Sequence, residues 1–151
     1  MQNFSESTPE LQLGDYGSYA ACAIGESMRP MLRGGRDMIV VEPLKEKVKK
    51  YDVILFKDES SRYVLHRVVK IKKDAVITRG DNTYFTETVA PEAILGILTK
   101  YNKNGKSHSV NDFSYKLYSR LRVFFYPLRK LCVKLRRALA LLVRKIFKKR
   151  K

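Results

Sequence analysis

Tyr63-Val64-Leu65-His66-Arg67-Val68-Val69-Lys70-Ile71 is a run of β-branched and aromatic residues closed by Lys72-Lys73-Asp74, and it reads as a β-strand. Side chains alternate along a strand, so His66 shares its face with Val64 and Val68. A histidine in that position is either a partly buried residue satisfied by a backbone carbonyl or a base held by a rigid element. Four further stretches have the same composition: Met38-Ile39-Val40-Val41, Val53-Ile54-Leu55-Phe56, Ala75-Val76-Ile77-Thr78 and Ile94-Leu95-Gly96-Ile97-Leu98. Turn-forming or charged clusters bound each of them. The expectation is a small, mainly β, mostly antiparallel domain.

Upstream lies Gly25-Glu26-Ser27-Met28-Arg29-Pro30. A serine hydroxyl is a weak nucleophile unless a neighbouring base takes its proton. The chain has two histidines, and His108 sits in the polar stretch Asn102 to Ser109, which leaves His66 as the candidate base. Read from these residues alone, Ser27 is a turn serine ahead of Pro30, Met28 an apolar plug and Pro30 a fixed φ that shapes the loop.

Ser27-Met28-x-Pro30-x-Leu32, Arg36-Asp37-Met38-Ile39-Val40-Val41, Tyr51-Asp52-Val53-Ile54-Leu55-Phe56, His66-Arg67-Val68 and Gly80-Asp81-Asn82 follow one another in this order. The series resembles the conserved boxes of the signal peptidase I and LexA-like serine peptidase superfamily. It spans Gly25 to Leu98 and is most similar to the histidine-type signal peptidases of the endoplasmic-reticulum and sporulation kind. The resemblance implies a barrel-like β fold, Ser27 as nucleophile and His66 as general base. A histidine begins near the working pH, whereas the lysine of other relatives must first be desolvated. Such a base needs an acceptor on its other ring nitrogen. Asp81, which matches the family's Gly-Asp-Asn box, is the first choice and Glu87 the second, with a turn residue as the plain reading of Asp81. Oxyanion stabilisation is expected from the Ser27 backbone N–H. Gly25 stands where many relatives carry a second, hydroxyl donor.

Charge divides the chain. Met1 to Ser114 holds 17 Lys and Arg and all 15 Asp and Glu, whereas Tyr115 to Lys151 holds 14 Lys and Arg and no acid. The second part also carries Leu117, Leu121, Phe124, Leu128, Leu131, Leu135, Leu139, Leu142 and Ile146 in steps of three and four, one stripe along a helix that Pro127 divides or kinks. A transmembrane helix is excluded by composition. Arg129, Lys130, Lys134, Arg136, Arg137, Arg144 and Lys145 interrupt it, and each would cost about 2.5 to 3.5 kcal/mol near the bilayer centre. Lying flat, with the stripe in the interface and these basic groups toward anionic headgroups, is the preferred reading. Packing on the β domain or on a partner helix comes second. Nucleic acid and a largely disordered tail rank below both, and a nucleic-acid arm has no need of a regular apolar stripe.

Three parts result: a polar segment over 1–20, a peptidase-like β domain over 21–112 and a basic amphipathic helical tail over 113–151. Met1 to Tyr19 has no Lys or Arg and no apolar run, so it is read as neither a signal peptide nor an anchor, which suits a cytoplasmic-side protein held peripherally at the membrane. Cys22 and Cys132 form no disulfide or metal framework and are read as buried thiols. No Gly-rich phosphate loop or metal-ligand cluster occurs, and no cofactor or metal is expected. The function so implied is a serine endopeptidase acting on a signal or leader peptide of a precursor. Two alternatives stand beside it: a non-enzymatic membrane-surface adaptor on the same scaffold, and a repressor-like self-cleaving switch. The switch would need a scissile Ala-Gly or Cys-Gly bond, and neither dipeptide occurs in the chain.

Overall fold

The structure, a computed structural model, describes residues 8–135. Thr8 caps the first helix, α1 (Pro9–Tyr16), accepting a hydrogen bond from the Leu11 N–H, and Gly17 ends it in the left-handed conformation that glycine adopts without a Cβ clash. Leu13 turns into the core, while Glu10 accepts hydrogen bonds from Lys57 Nζ at 3.0 Å and Tyr63 Oη at 2.8 Å. The polar N-terminal segment is thus fastened to the β domain.

Eight antiparallel strands follow: β1 (Tyr19–Cys22), β2 (Met38–Glu42), β3 (Val53–Lys57), β4 (Tyr63–Ile71), β5 (Val76–Arg79), β6 (Glu87–Val89), β7 (Ile94–Lys103) and β8 (Lys106–Ser109). Their order is β1-β2-β7-β3-β4-β5-β6, with β8 also on β7. All five stretches expected from composition are strands. The sheet is antiparallel as expected, but it is open rather than closed into a barrel, since the path runs from β1 to β6 and these ends are not paired. Three strands lie outside the expectation, namely β1, β6 and β8. The polar stretch around His108 forms the β7–β8 hairpin, because Asn104 and Gly105 both take positive φ, as a tight two-residue turn demands. His108 stacks on Tyr101 there, 5.1 Å between centroids.

The sheet encloses two apolar clusters. Leu32, Ile39, Val41, Val53, Leu55 and Leu98 anchor the larger one, and Ile54, Phe56, Val68, Val76 and Val89 the smaller. Ile54 and Leu55 alternate between the two, as strand periodicity requires. A second helix, α2 (Phe113–Phe124), closes the larger cluster with Tyr115. Helix resumes over 126–135 after a break at Phe125. Pro127 has no N–H to offer Val123, so continuous α-helical bonding fails at that point. Arg136, Arg137, Arg144, Lys145 and the apolar residues Leu139, Leu142 and Ile146 lie outside the described residues. No helix among the described residues is long and apolar enough to cross a membrane. Cys22 and Cys132 correct the expectation of buried thiols: both are exposed, Cys22 on the outward side of edge strand β1 and Cys132 on the solvent side of 126–135.

Candidate active site

Ser27 sits in a turn between β1 and β2 whose shape is set by two glycines. Gly25 has φ of +78°, and Gly34 lies so close to the Gly25 backbone that a Cβ on it would collide with the Gly25 nitrogen and carbonyl. Gly35 N–H donates to the Ala23 carbonyl at 2.8 Å, Ala23 N–H to the Asp37 carbonyl at 2.8 Å, and Arg33 N–H to Asp37 Oδ2 at 2.8 Å. The loop is therefore cross-braced by its own backbone. Met28 is buried in the larger core cluster, as an apolar plug should be. Pro30 is exposed, follows a cis peptide bond, and its carbonyl accepts from Lys103 Nζ at 2.5 Å.

His66 lies at the centre of β4, paired with Ile54 of β3. Its ring is against Phe56, edge to face at 6.2 Å. Its side chain is 5% exposed, and its Nδ1 stands 2.5 Å from Oε2 of Glu87, which is 30% exposed. A carboxylate oxygen accepts, so Nδ1 donates, and in the neutral ring Nε2 is the acceptor. That Nε2 and Ser27 both lie next to Gly80. A Cβ added to Gly80 would stand 3.0 Å from His66 Nε2, 3.0 Å from Ser27 Cβ and 2.7 Å from the Ser27 carbonyl. Gly80 is thus a glycine because the serine loop and the imidazole meet across it.

The carboxylate at His66 Nδ1 belongs to Glu87, the second choice, and strand register explains why. β6 pairs with β5 so that Glu87 lies opposite Thr78, and the sheet brings its carboxylate to the His66 ring. Asp81 has a different task. Both its oxygens accept from Arg67, from Nε and Nη2 at 2.8 Å each, and Oδ2 also accepts from Tyr118 Oη at 3.0 Å. The side chains of Arg67 and Asp81 are 1% and 2% exposed. Burial alone would lower the Arg67 guanidinium, but the adjacent Asp81 carboxylate and its hydrogen bonds carry it above the ordinary arginine range. Burial, reinforced by the Asp81 charge, raises the Tyr118 phenol well above its usual 10.0.

The next residue, Asn82, reaches the serine loop. Asn82 N–H donates to the Ser27 carbonyl at 2.6 Å, and Asn82 Nδ2 to the Glu26 carbonyl at 3.3 Å. The Asp81 carbonyl in turn accepts from Arg122 Nη2 at 2.7 Å and from Arg129 Nη1 at 3.0 Å. Arg129, one of the basic residues expected toward headgroups, is half-buried and bonded to the β domain, because the Asp81 carbonyl in the turn after β5 offers it a partner. Lys130 and Lys134 are exposed, with Lys130 Nζ 6.0 Å above the Tyr126 ring. Arg67, Tyr118 and Arg122 were absent from the sequence-derived set. Arg67 could have been singled out by its place beside His66 in the middle of an apolar strand, where a charge demands a buried partner.

Ser27, His66 and Glu87 line one open cleft of about 350 Å³, with apolar walls that include Tyr19, Ala21, Leu65 and Phe85. Compared with known proteins, the chain matches no family model and no curated protein sequence.

Proposed function

We propose that this protein is a serine endopeptidase of the signal-peptidase-like type, with Ser27, His66 and Glu87 as its catalytic residues. The observation that carries the reading is the hydrogen bond between Glu87 and His66 Nδ1, with Nε2 and Ser27 Cβ both next to Gly80. In this reading His66 Nε2 takes the Ser27 hydroxyl proton as Oγ attacks a peptide carbonyl, and later gives it to the leaving amine. Glu87 holds the ring in the correct tautomer and stabilises the imidazolium that forms. The Ser27 backbone N–H is the first donor to the oxyanion. The cleft is lined by both polar catalytic groups and apolar walls, which suits an extended segment with small apolar side chains.

The substrate class is a signal or leader peptide on a precursor, cleaved at or near a membrane surface by a protein held peripherally on the cytoplasmic side. No cofactor takes part in this mechanism. The test is cleavage of a panel of leader-bearing peptides, followed by mass spectrometry, for the wild type and for Ser27→Ala and His66→Ala. Cleavage at one bond that each substitution lowers by about a thousandfold or more supports the reading. Equal cleavage by all three would exclude it. The adaptor reading differs in one outcome, since it predicts that Ser27→Ala leaves function intact.

A further inference from the structure

The two C-terminal helical stretches have opposite faces of opposite character. Tyr115, Tyr118, Ser119 and Arg122 of α2, with Tyr126 and Arg129 beyond the break, face the β domain. Arg67 Nη1 donates to Ser119 Oγ at 2.7 Å, and Tyr126 Oη donates to the Tyr84 carbonyl at 2.9 Å. The face turned away from the domain is apolar. Leu117, Leu121, Leu128, Leu131 and Leu135 are each 45% to 55% exposed, and Phe124 is 74% exposed. Large apolar side chains in such a row would ordinarily be covered.

The flanking charge identifies what covers them. Lys116, Arg120, Lys130 and Lys134 each directly precede a leucine of the stripe. At 100° per residue this places all four on the same flank of the apolar face, none opposite it. All four are exposed. Tyr115 to Lys151 contains no acidic residue, and the stripe spacing continues in the sequence through Leu139, Leu142 and Ile146. A second copy of this face would bring like charges together over the same apolar strip. Nucleic acid would use the charges and leave the stripe wet. An apolar row bordered by cations on one side matches a bilayer interface that carries negative headgroups.

We infer that the outward face of α2 and 126–135 docks on an anionic lipid bilayer. The occupant is a membrane surface, and the helices lie on it without crossing. Because the inward face of the same helices holds the Asp81 carbonyl, and Asn82 holds the Ser27 carbonyl, docking also sets the Ser27 cleft at a fixed orientation to the membrane. The inference takes its peripheral location from the function proposed above, but not its chemistry.

Full-length protein is sedimented with vesicles of phosphatidylcholine alone and of phosphatidylcholine with about a third phosphatidylserine, and its solution mass is measured by light scattering. Binding to the anionic vesicles is expected to exceed binding to neutral ones by at least about tenfold, and to weaken with salt. Leu121→Glu with Leu128→Glu, both at exposed positions, should lower anionic binding by about tenfold or more and leave the melting temperature unchanged. Lys130→Glu with Lys134→Glu should lower it by a similar factor. Ser27→Ala protein should bind as the wild type does, so a failed peptidase assay leaves this result standing. Anionic binding untouched by the leucine pair would overturn the docking face. A concentration-dependent dimer dispersed by that pair, or no vesicle binding by the wild type, would overturn the bilayer as its occupant.

Discussion

Gly80 separates Ser27 from His66 by the width of a missing side chain, and that gap is a strong constraint on the site. Gly80→Ala would place a methyl group 3.0 Å from both Ser27 Cβ and His66 Nε2 and 2.7 Å from the Ser27 carbonyl. The expected result is a loss of about 1 to 3 kcal/mol in chemical denaturation, as for other overpacked sites, with cleavage lowered by about a hundredfold or more because the reacting groups are displaced. The two acids separate by a different pair of measurements. Glu87→Gln should lower the turnover rate by about a thousandfold or more and barely move the urea midpoint, since its side chain is partly exposed and acts on the His66 tautomer. Asp81→Ala should do the reverse in emphasis, costing about 3 to 5 kcal/mol of stability by leaving Arg67 buried without its counter-charge. Sequence ranked these acids in the opposite order because the Gly-Asp-Asn pattern marks a position along the chain. Which carboxylate meets His66 is set across the sheet, by the pairing of Thr78 with Glu87.

At the scale of elements, α2 shows how a helix can be read correctly and yet oriented unexpectedly. Its apolar stripe was legible in the spacing of Leu117, Leu121 and Phe124, but those residues are exposed and the polar face is the one that packs. The reason is the buried Arg67–Asp81 pair, which needs further hydrogen-bond partners, and Tyr115, Tyr118 and Ser119 supply them. Ser119→Ala should therefore cost about 1 to 3 kcal/mol, far more than an exposed helical serine, as read by denaturant unfolding. The Tyr118 phenol provides a pH signature of the same contact. Its pKa is raised in the folded protein, first by burial and then by the Asp81 charge, so its contribution to stability is complete below the unfolded value near 10 and declines as pH rises through the folded one. Burial also raises Tyr19 and Tyr101, so alkaline spectrophotometric titration should show several tyrosines ionising later than the exposed ones, and Tyr118→Phe should remove one of those late steps.

For the molecule as a whole, the charge division follows the architecture. The region up to Ser114 is nearly neutral and contains the sheet, while the basic remainder begins on α2 and supplies Arg122 and Arg129 to the turn that holds the serine loop. Deleting residues 113–151 should thus do more than remove a surface. Loss of Tyr115 from the core and of Ser119 from Arg67 should lower stability by about 3 to 5 kcal/mol, seen as a large fall in the urea midpoint. Five of the strands, the serine and histidine that line one cleft, and the helical stripe were all legible in the chain, because side-chain alternation and the 3.6-residue helical repeat are local properties. β1, β6 and β8 were not, since Tyr19–Cys22, Glu87–Val89 and Lys106–Ser109 lack the run of β-branched residues that marks the similarly short β5. The open sheet, the choice of Glu87 over Asp81 as partner of His66, the inward polar face of α2 and the domain-bound Arg129 were decided by tertiary structure alone. Each depends on which distant backbone lies alongside, and on the demand that a buried charge find its partner there.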